Sequence, residues 1–145
     1  MSNRTRGFTL IELLVVITLI AIASGLASLA LRDPTANSLE QEGARLAALL
    51  ESARAEARAS GLAVRWEPKA SDASAGDFRF VGLPSSSDLP QHWLHPGVSA
   101  DIVGARAVVL GPEPLIPAQR IVLSLEDRRL TLATDGLGPF EVAGQ

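Results

Sequence analysis

Few residues of this chain have the type and spacing to do chemistry. His92-Trp93-Leu94-His95 puts two imidazoles three apart. On a helix such a pair could share a metal ion, but Pro90 and Pro96 flank it and predict a loop. No third ligand is apparent nearby, so a structural or solvated role is expected over a metal site. Ser85-Ser86-Ser87 lacks the base and orienting group that would activate a nucleophile, and reads as a flexible loop. Asp135-Gly136-Leu137-Gly138 has the glycines of a phosphate loop, but no helix follows it, so a turn is expected. Glu113, between Pro112 and Pro114, reads as an exposed turn, with a partner contact as the alternative. Trp66 is expected in the core, and Trp93, in a loop, is a candidate interface anchor. No catalytic residue, cofactor site or metal site is expected, and the chain does not read as an enzyme.

Glu12 is the exception. It interrupts an apolar segment that opens with Gly7-Phe8-Thr9-Leu10-Ile11 and runs to Leu31. Arg4 and Arg6 precede the segment, and from Leu13 to Leu31 nineteen residues carry no charge. A spanning helix needs about 20 apolar residues, and the arginines would hold the N-terminus in the cytoplasm. A carboxylate near the centre of a membrane costs roughly 2.5–3.5 kcal/mol on insertion scales, and less near the end. Two readings remain open. Glu12 lies at the interface and snorkels to water, or it pairs with a positive charge. An α-amino group would supply that charge if the chain were cut between Gly7 and Phe8, and the pairing could then join neighbouring copies or relatives.

The block RGFTLIELLVVITLIAIASGLA resembles the N-terminus of type IV pilins and pseudopilins. The resemblance implies a cytoplasmic-side cut after Gly7 by prepilin peptidase, N-methylation of the new first residue Phe8, and Glu12 as the fifth residue of the mature chain. An ordinary secretory signal would be cut after its apolar stretch, near small residues. Ala23-Ser24-Gly25 or Ala27-Ser28-Leu29-Ala30 mimics such a site, but Glu12 and the length of the run argue against it.

Composition fits an anchored protein facing away from the cytoplasm. At 145 residues the chain suggests one domain plus the anchor. The net charge of −3 includes Arg4 and Arg6, so the 138 residues from Phe8 onward sum to −5. That balance gives no support to nucleic-acid binding, which shows a basic face. There is no cysteine, hence no disulfide and no thiolate metal site.

Four segments follow: a leader at 1–7, a transmembrane and assembly helix at 8–31, an amphipathic helix half at 32–60, and a β domain at 61–145. Arg32-Asp33-Pro34 marks the outer membrane boundary, where Asp33 can cap and Pro34 suits a first helical position. Ser38-Leu39-Glu40-Gln41 offers a second capping box. Leu39, Leu46, Leu50, Ala53 and Ala57 form one stripe at helical spacing. Glu42/Arg45 and Glu51/Arg54 are spaced to pair on the surface, and Gly61 is a natural stop.

Beyond Gly61 the period changes. Leu62–Glu67 alternates, with Val64 and Trp66 on one face. Asp77–Leu83 is a second expected strand. Val98–Val103 and Arg106–Leu110 flank Gly104-Ala105 as an expected hairpin, and Arg120–Leu125 and Arg129–Ala133 flank Glu126-Asp127-Arg128 as another. Asp135-Gly136 begins a turn before Phe140–Val142. Stretches 68–76 and 84–97 read as loops. One long helix followed by six or seven short strands predicts an α+β fold, a mostly antiparallel sheet or sandwich packed on the outer half of the helix.

The stretches LLESARAEARASGLAVRW, VVLGPEPLIPAQRIVLSL and LTLATDGLGPFEV resemble the minor pseudopilin H (GspH) family of type II secretion systems. That resemblance implies a low-abundance subunit of a short periplasmic filament that exports folded proteins through an outer-membrane channel. The implied partners are major and minor pseudopilins, prepilin peptidase, the inner-membrane secretion platform and the inner membrane itself, with no nucleic acid. The implied location is a single-pass inner-membrane protein with its C-terminal domain in the periplasm. The alternative is a minor pilin of a type IV pilus or DNA-uptake system, which uses the same domain type.

Overall fold

Residues 10–30 lack proline and are dominated by leucine, isoleucine, valine and alanine, which favours an uninterrupted helix. In the computed structural model, which describes residues 8–30, 34–68 and 76–143, α1 spans Leu10–Ala30. Its large apolar side chains from Phe8 to Ile22 are between 40% and 83% exposed, on every side of the helix. The Thr18 hydroxyl donates to the Leu14 carbonyl at 2.8 Å, so this polar group is satisfied within the helix itself. The side chains of 26–30 fall outside the described residues, and among the described residues no helix is long and apolar enough to cross a membrane. The side chains described in α1, from Leu10 to Gly25, cover a run shorter than the ~20 residues a span needs. The expected spanning helix over 8–31 extends past it.

The chain divides into two compact units, Met1–Pro34 and Thr35–Gln145. In the second, α2 spans Pro34–Ser60. Ser38 therefore lies inside the helix and does not cap it. Pro34, preset to helical φ, starts the helix a turn earlier. Gly61, with φ +65°, ends it in the left-handed conformation that suits glycine. All five residues of the expected apolar stripe are buried.

Seven strands follow among the described residues: β1 (Arg65–Glu67), β2 (Arg79–Val81), β3 (Ser99–Ile102), β4 (Val108–Val109), β5 (Gln119–Leu125), β6 (Arg128–Thr134) and β7 (Glu141–Val142). They form two sheets, ordered β2-β1-β4 and β3-β5-β6-β7, with antiparallel pairing throughout. The α+β arrangement expected from the sequence is present. The hairpin expected around Gly104-Ala105 is not. β3 pairs with β5 and β4 with β1, so the chain crosses there from one sheet to the other. Gly104, with φ +76°, makes the turn, and the two flanking runs bury their apolar residues beside different partners. The second expected hairpin is present but tighter. Leu125 pairs with Arg128, leaving a two-residue turn in which Glu126 has φ +55°.

One core joins all three layers. Leu46 and Leu50 of α2, Trp66 of β1, and Ile121, Leu123 and Leu132 of β5 and β6 belong to the same buried cluster. Gly43 lets α2 approach β6 closely, because a Cβ there would run into Leu130. Gln119 ties the sheets together. Its side-chain oxygen accepts the Val109 N–H at 2.7 Å, and its amide nitrogen donates to the Val109 carbonyl at 2.8 Å. The 68–76 loop lies largely outside the described residues, and 84–97 forms no strand or helix.

Candidate functional site

The residues of the N-terminal motif sit at the start of α1. Thr9 is its N-cap. The Glu12 backbone N–H donates to Thr9 Oγ1 at 3.3 Å, and the Leu13 N–H to the Thr9 carbonyl at 3.2 Å. These contacts satisfy amides that a helix start otherwise leaves open. Thr9-Leu10-Ile11-Glu12 has the spacing of a capping box, a local signal separate from the charge of Glu12. Glu12 is thereby placed in the first turn, where the helix dipole favours a carboxylate. Phe8, immediately before the cap, is 72% exposed. Gly7, the other half of the expected cleavage site, lies outside the described residues.

The second unit contains two polar centres that the sequence did not reveal. Arg54 is 3% exposed. Its guanidinium donates to the carbonyls of Gly136 and Gly138, each at 2.9 Å, and of Pro114 at 3.4 Å. Glu51 lies 3.6 Å from it and accepts the Phe140 N–H at 3.2 Å. The expected surface pair is thus a clamp between α2 and two loops, 112–117 and 135–139. The clamped loop folds as the expected turn. Asp135 Oδ1 accepts the N–H groups of Gly138 at 2.8 Å and Leu137 at 2.9 Å. Those two bonds, Gly138 first, hold the Asp135 carboxyl below its ordinary value of 3.8. Gly136, with φ +92°, lies against the Ile116 carbonyl where no Cβ fits.

Glu42 is the other centre. It is fully buried, and its Oε1 accepts the His95 backbone N–H at 2.7 Å. His95 Nδ1 lies 3.2 Å from the same oxygen, and Arg45 Nη1 lies 3.7 Å from Oε2. This second expected surface pair therefore also has a buried member, because the 91–97 loop closes over it. Arg45 donates onward to the His92 carbonyl at 2.9 Å.

His92 and His95 turn to different carboxylates. His92 Nδ1 lies 3.6 Å from Asp77, and His95 meets Glu42. Among the described residues no three of His, Asp and Glu come together as metal ligands. Trp66 is in the core as expected. Trp93 is half-buried against Phe78, with ring centroids 4.6 Å apart, and ties its loop to the core. Ser85 and Ser86 are exposed in a turn, and Glu113 is exposed beside Pro114.

Residues 2–28 match a family model described as the prokaryotic N-terminal methylation motif. The match runs from before Gly7 through most of α1 and stops short of α2. No curated protein and no solved structure matches the chain.

Proposed function

We propose that the chain is a non-enzymatic subunit of a type IV pilin-like filament, cut between Gly7 and Phe8 by prepilin peptidase and N-methylated at Phe8. The observation that carries this reading is the methylation motif over residues 2–28, a motif of type IV pilin-like precursors. Two structural facts support it. The Thr9 cap places Glu12 in the first turn of α1. The helix that follows exposes apolar side chains on all sides, a surface that needs lipid or other helices around it. In this reading residues 8–31 anchor the subunit in the inner membrane before assembly, and the β domain faces the periplasm. The Glu12 carboxylate then neutralises the N-terminal amine of an adjacent subunit.

The finer reading is a minor pseudopilin of a type II secretion system, resting on the resemblance of the three stretches in 49–66, 108–125 and 130–142. A minor pilin of a type IV pilus or DNA-uptake system shares the same N-terminal chemistry. Neighbouring genes separate the two: a secretion ATPase and outer-membrane secretin on one side, pilus or competence genes on the other.

Glu12→Val tests the assembly role. It removes the partner of a neighbouring amine, and stripping one member of a buried charge pair costs about 3–5 kcal/mol. The variant should be processed, accumulate in the inner membrane and crosslink poorly to other subunits, with secretion lost in parallel. Wild-type crosslinking and secretion would mean that the carboxylate serves only its own helix.

A further inference from the structure

Phe8 supplies the nitrogen of the Gly7–Phe8 bond, and α1 begins two residues later at Leu10. One side chain sets that boundary. The Thr9 hydroxyl accepts the Glu12 N–H at 3.3 Å, and the Thr9 carbonyl accepts the Leu13 N–H at 3.2 Å. A capping residue keeps non-helical backbone while its carbonyl accepts the first intrahelical bond, so the helix does not run back through it. Phe8 and Thr9 accordingly lie outside the helix, and Phe8 is exposed.

The sequence offers a helix other places to start. Ser2, Asn3 and Thr5 all precede the bond, and each is of a type that caps well. A helix capped at Thr5 would contain both Gly7 and Phe8, and the bond between them would sit in helical backbone. A peptidase needs the backbone around its bond opened and within reach. Two local features oppose the longer helix. Glycine is among the poorest helix formers, which weighs against helix at Gly7. Thr9-Leu10-Ile11-Glu12 is also a better start than Thr5-Arg6-Gly7-Phe8, because only the first has a glutamate three residues after the cap.

A second observation, independent of the helix start, points to an enzyme acting here. The N-terminal methylation model covers residues 2–28, a stretch that includes the bond, the cap and Glu12.

We propose that Thr9 is a positioning residue for maturation: its hydroxyl starts α1 after the Gly7–Phe8 bond and so keeps that bond in reachable, non-helical backbone. The proposal rests on the reading of the chain as a prepilin peptidase substrate, and gives Thr9 a part in cleavage beyond its placing of Glu12. Thr9 acts on the backbone and not on the reacting atoms. When only a fraction of the chains holds the bond outside helix, apparent affinity for the peptidase falls by that fraction. The chemical step on a bound chain is untouched.

The test follows cleavage of the full chain by purified prepilin peptidase in detergent micelles, with kcat and KM measured separately. Thr9→Val keeps the shape of the side chain and removes the hydroxyl. It should raise KM about fivefold, equivalent to about 1 kcal/mol, at the wild-type kcat. Thr9→Ser and Thr9→Asn each restore a capping oxygen. Both should bring KM back near the wild-type value, although asparagine does not share the shape of threonine. A wild-type KM for Thr9→Val overturns the proposal. So does a Thr9→Asn chain as poor as Thr9→Val, which would mean that the peptidase reads threonine itself. A loss carried by kcat also overturns it, because that would place Thr9 at the reacting atoms. Wild-type chain left uncut by active peptidase sinks the reading on which the proposal rests. Wild-type chain cut normally beside an indifferent Thr9→Val sinks this proposal alone.

Discussion

The backbone N–H of Glu12 donates to the Thr9 hydroxyl at 3.3 Å, which makes the carboxylate a first-turn residue of α1 as well as a charge in an apolar helix. These two roles respond differently to substitution. Glutamine keeps the polar end that suits this capping position but removes the charge. If Glu12 pairs with a neighbour's amine, Glu12→Gln and Glu12→Val should lose subunit crosslinking to a similar degree. Crosslinking retained by Gln and lost only by Val would assign Glu12 to capping.

Residues 34–145 should fold alone, since the second unit has its own core. Leu50 is fully buried in that core. Leu50→Ala should cost about 2–5 kcal/mol in chemical denaturation of this fragment. Unchanged stability would mean that the stripe on α2 is covered by a partner and not by the sheets.

Arg54→Met should cost about 3–5 kcal/mol, the range for removing one member of a buried charged contact. The larger signature should be local: faster proteolysis within 112–117 and 135–139, whose carbonyls lose their donor. Arg54→Lys keeps the charge but not the planar fork and should recover only part of the protection. Identical cleavage patterns in all three proteins would contradict the clamp.

The lowered carboxyl of Asp135 makes the 135–138 turn acid-sensitive. A group whose folded value is depressed contributes stability that is complete above its ordinary value, here 3.8, and disappears as pH falls below that through the folded value. Asp135→Asn retains an acceptor and removes the titration. Wild type should lose stability relative to Asp135→Asn on acidification through this window. A constant difference across the window would show that the two N–H bonds do not distinguish carboxylate from acid.

The parts of this molecule legible in sequence are those whose pattern repeats locally. The Leu39–Ala57 stripe follows the helical period, and the strands around Glu126 alternate over seven residues each. The sheet crossover at Gly104 is not legible. Two short runs separated by a glycine turn look the same whether the second rejoins the first or leaves for another sheet. Arg54 was equally hidden. Glu51/Arg54 has the spacing of an ordinary exposed helix pair, and the carbonyls that bury Arg54 lie as far as 84 residues away. Glu42 is hidden in the same way by His95, 53 residues downstream. The Thr9 cap is legible in the spacing Thr9-Leu10-Ile11-Glu12, which a reading of Glu12 by charge alone does not use.

The central claim is that the chain is matured at the Gly7–Phe8 bond, and intact mass measures this most directly. Full-length chain is produced with a prepilin peptidase, extracted from membranes and weighed. The account predicts a single mature species lacking residues 1–7 and carrying one added methyl group, with Phe8 as the modified N-terminus on fragmentation. A mature N-terminus near Ala30, or a full-length unmethylated chain in the presence of active peptidase, would contradict it.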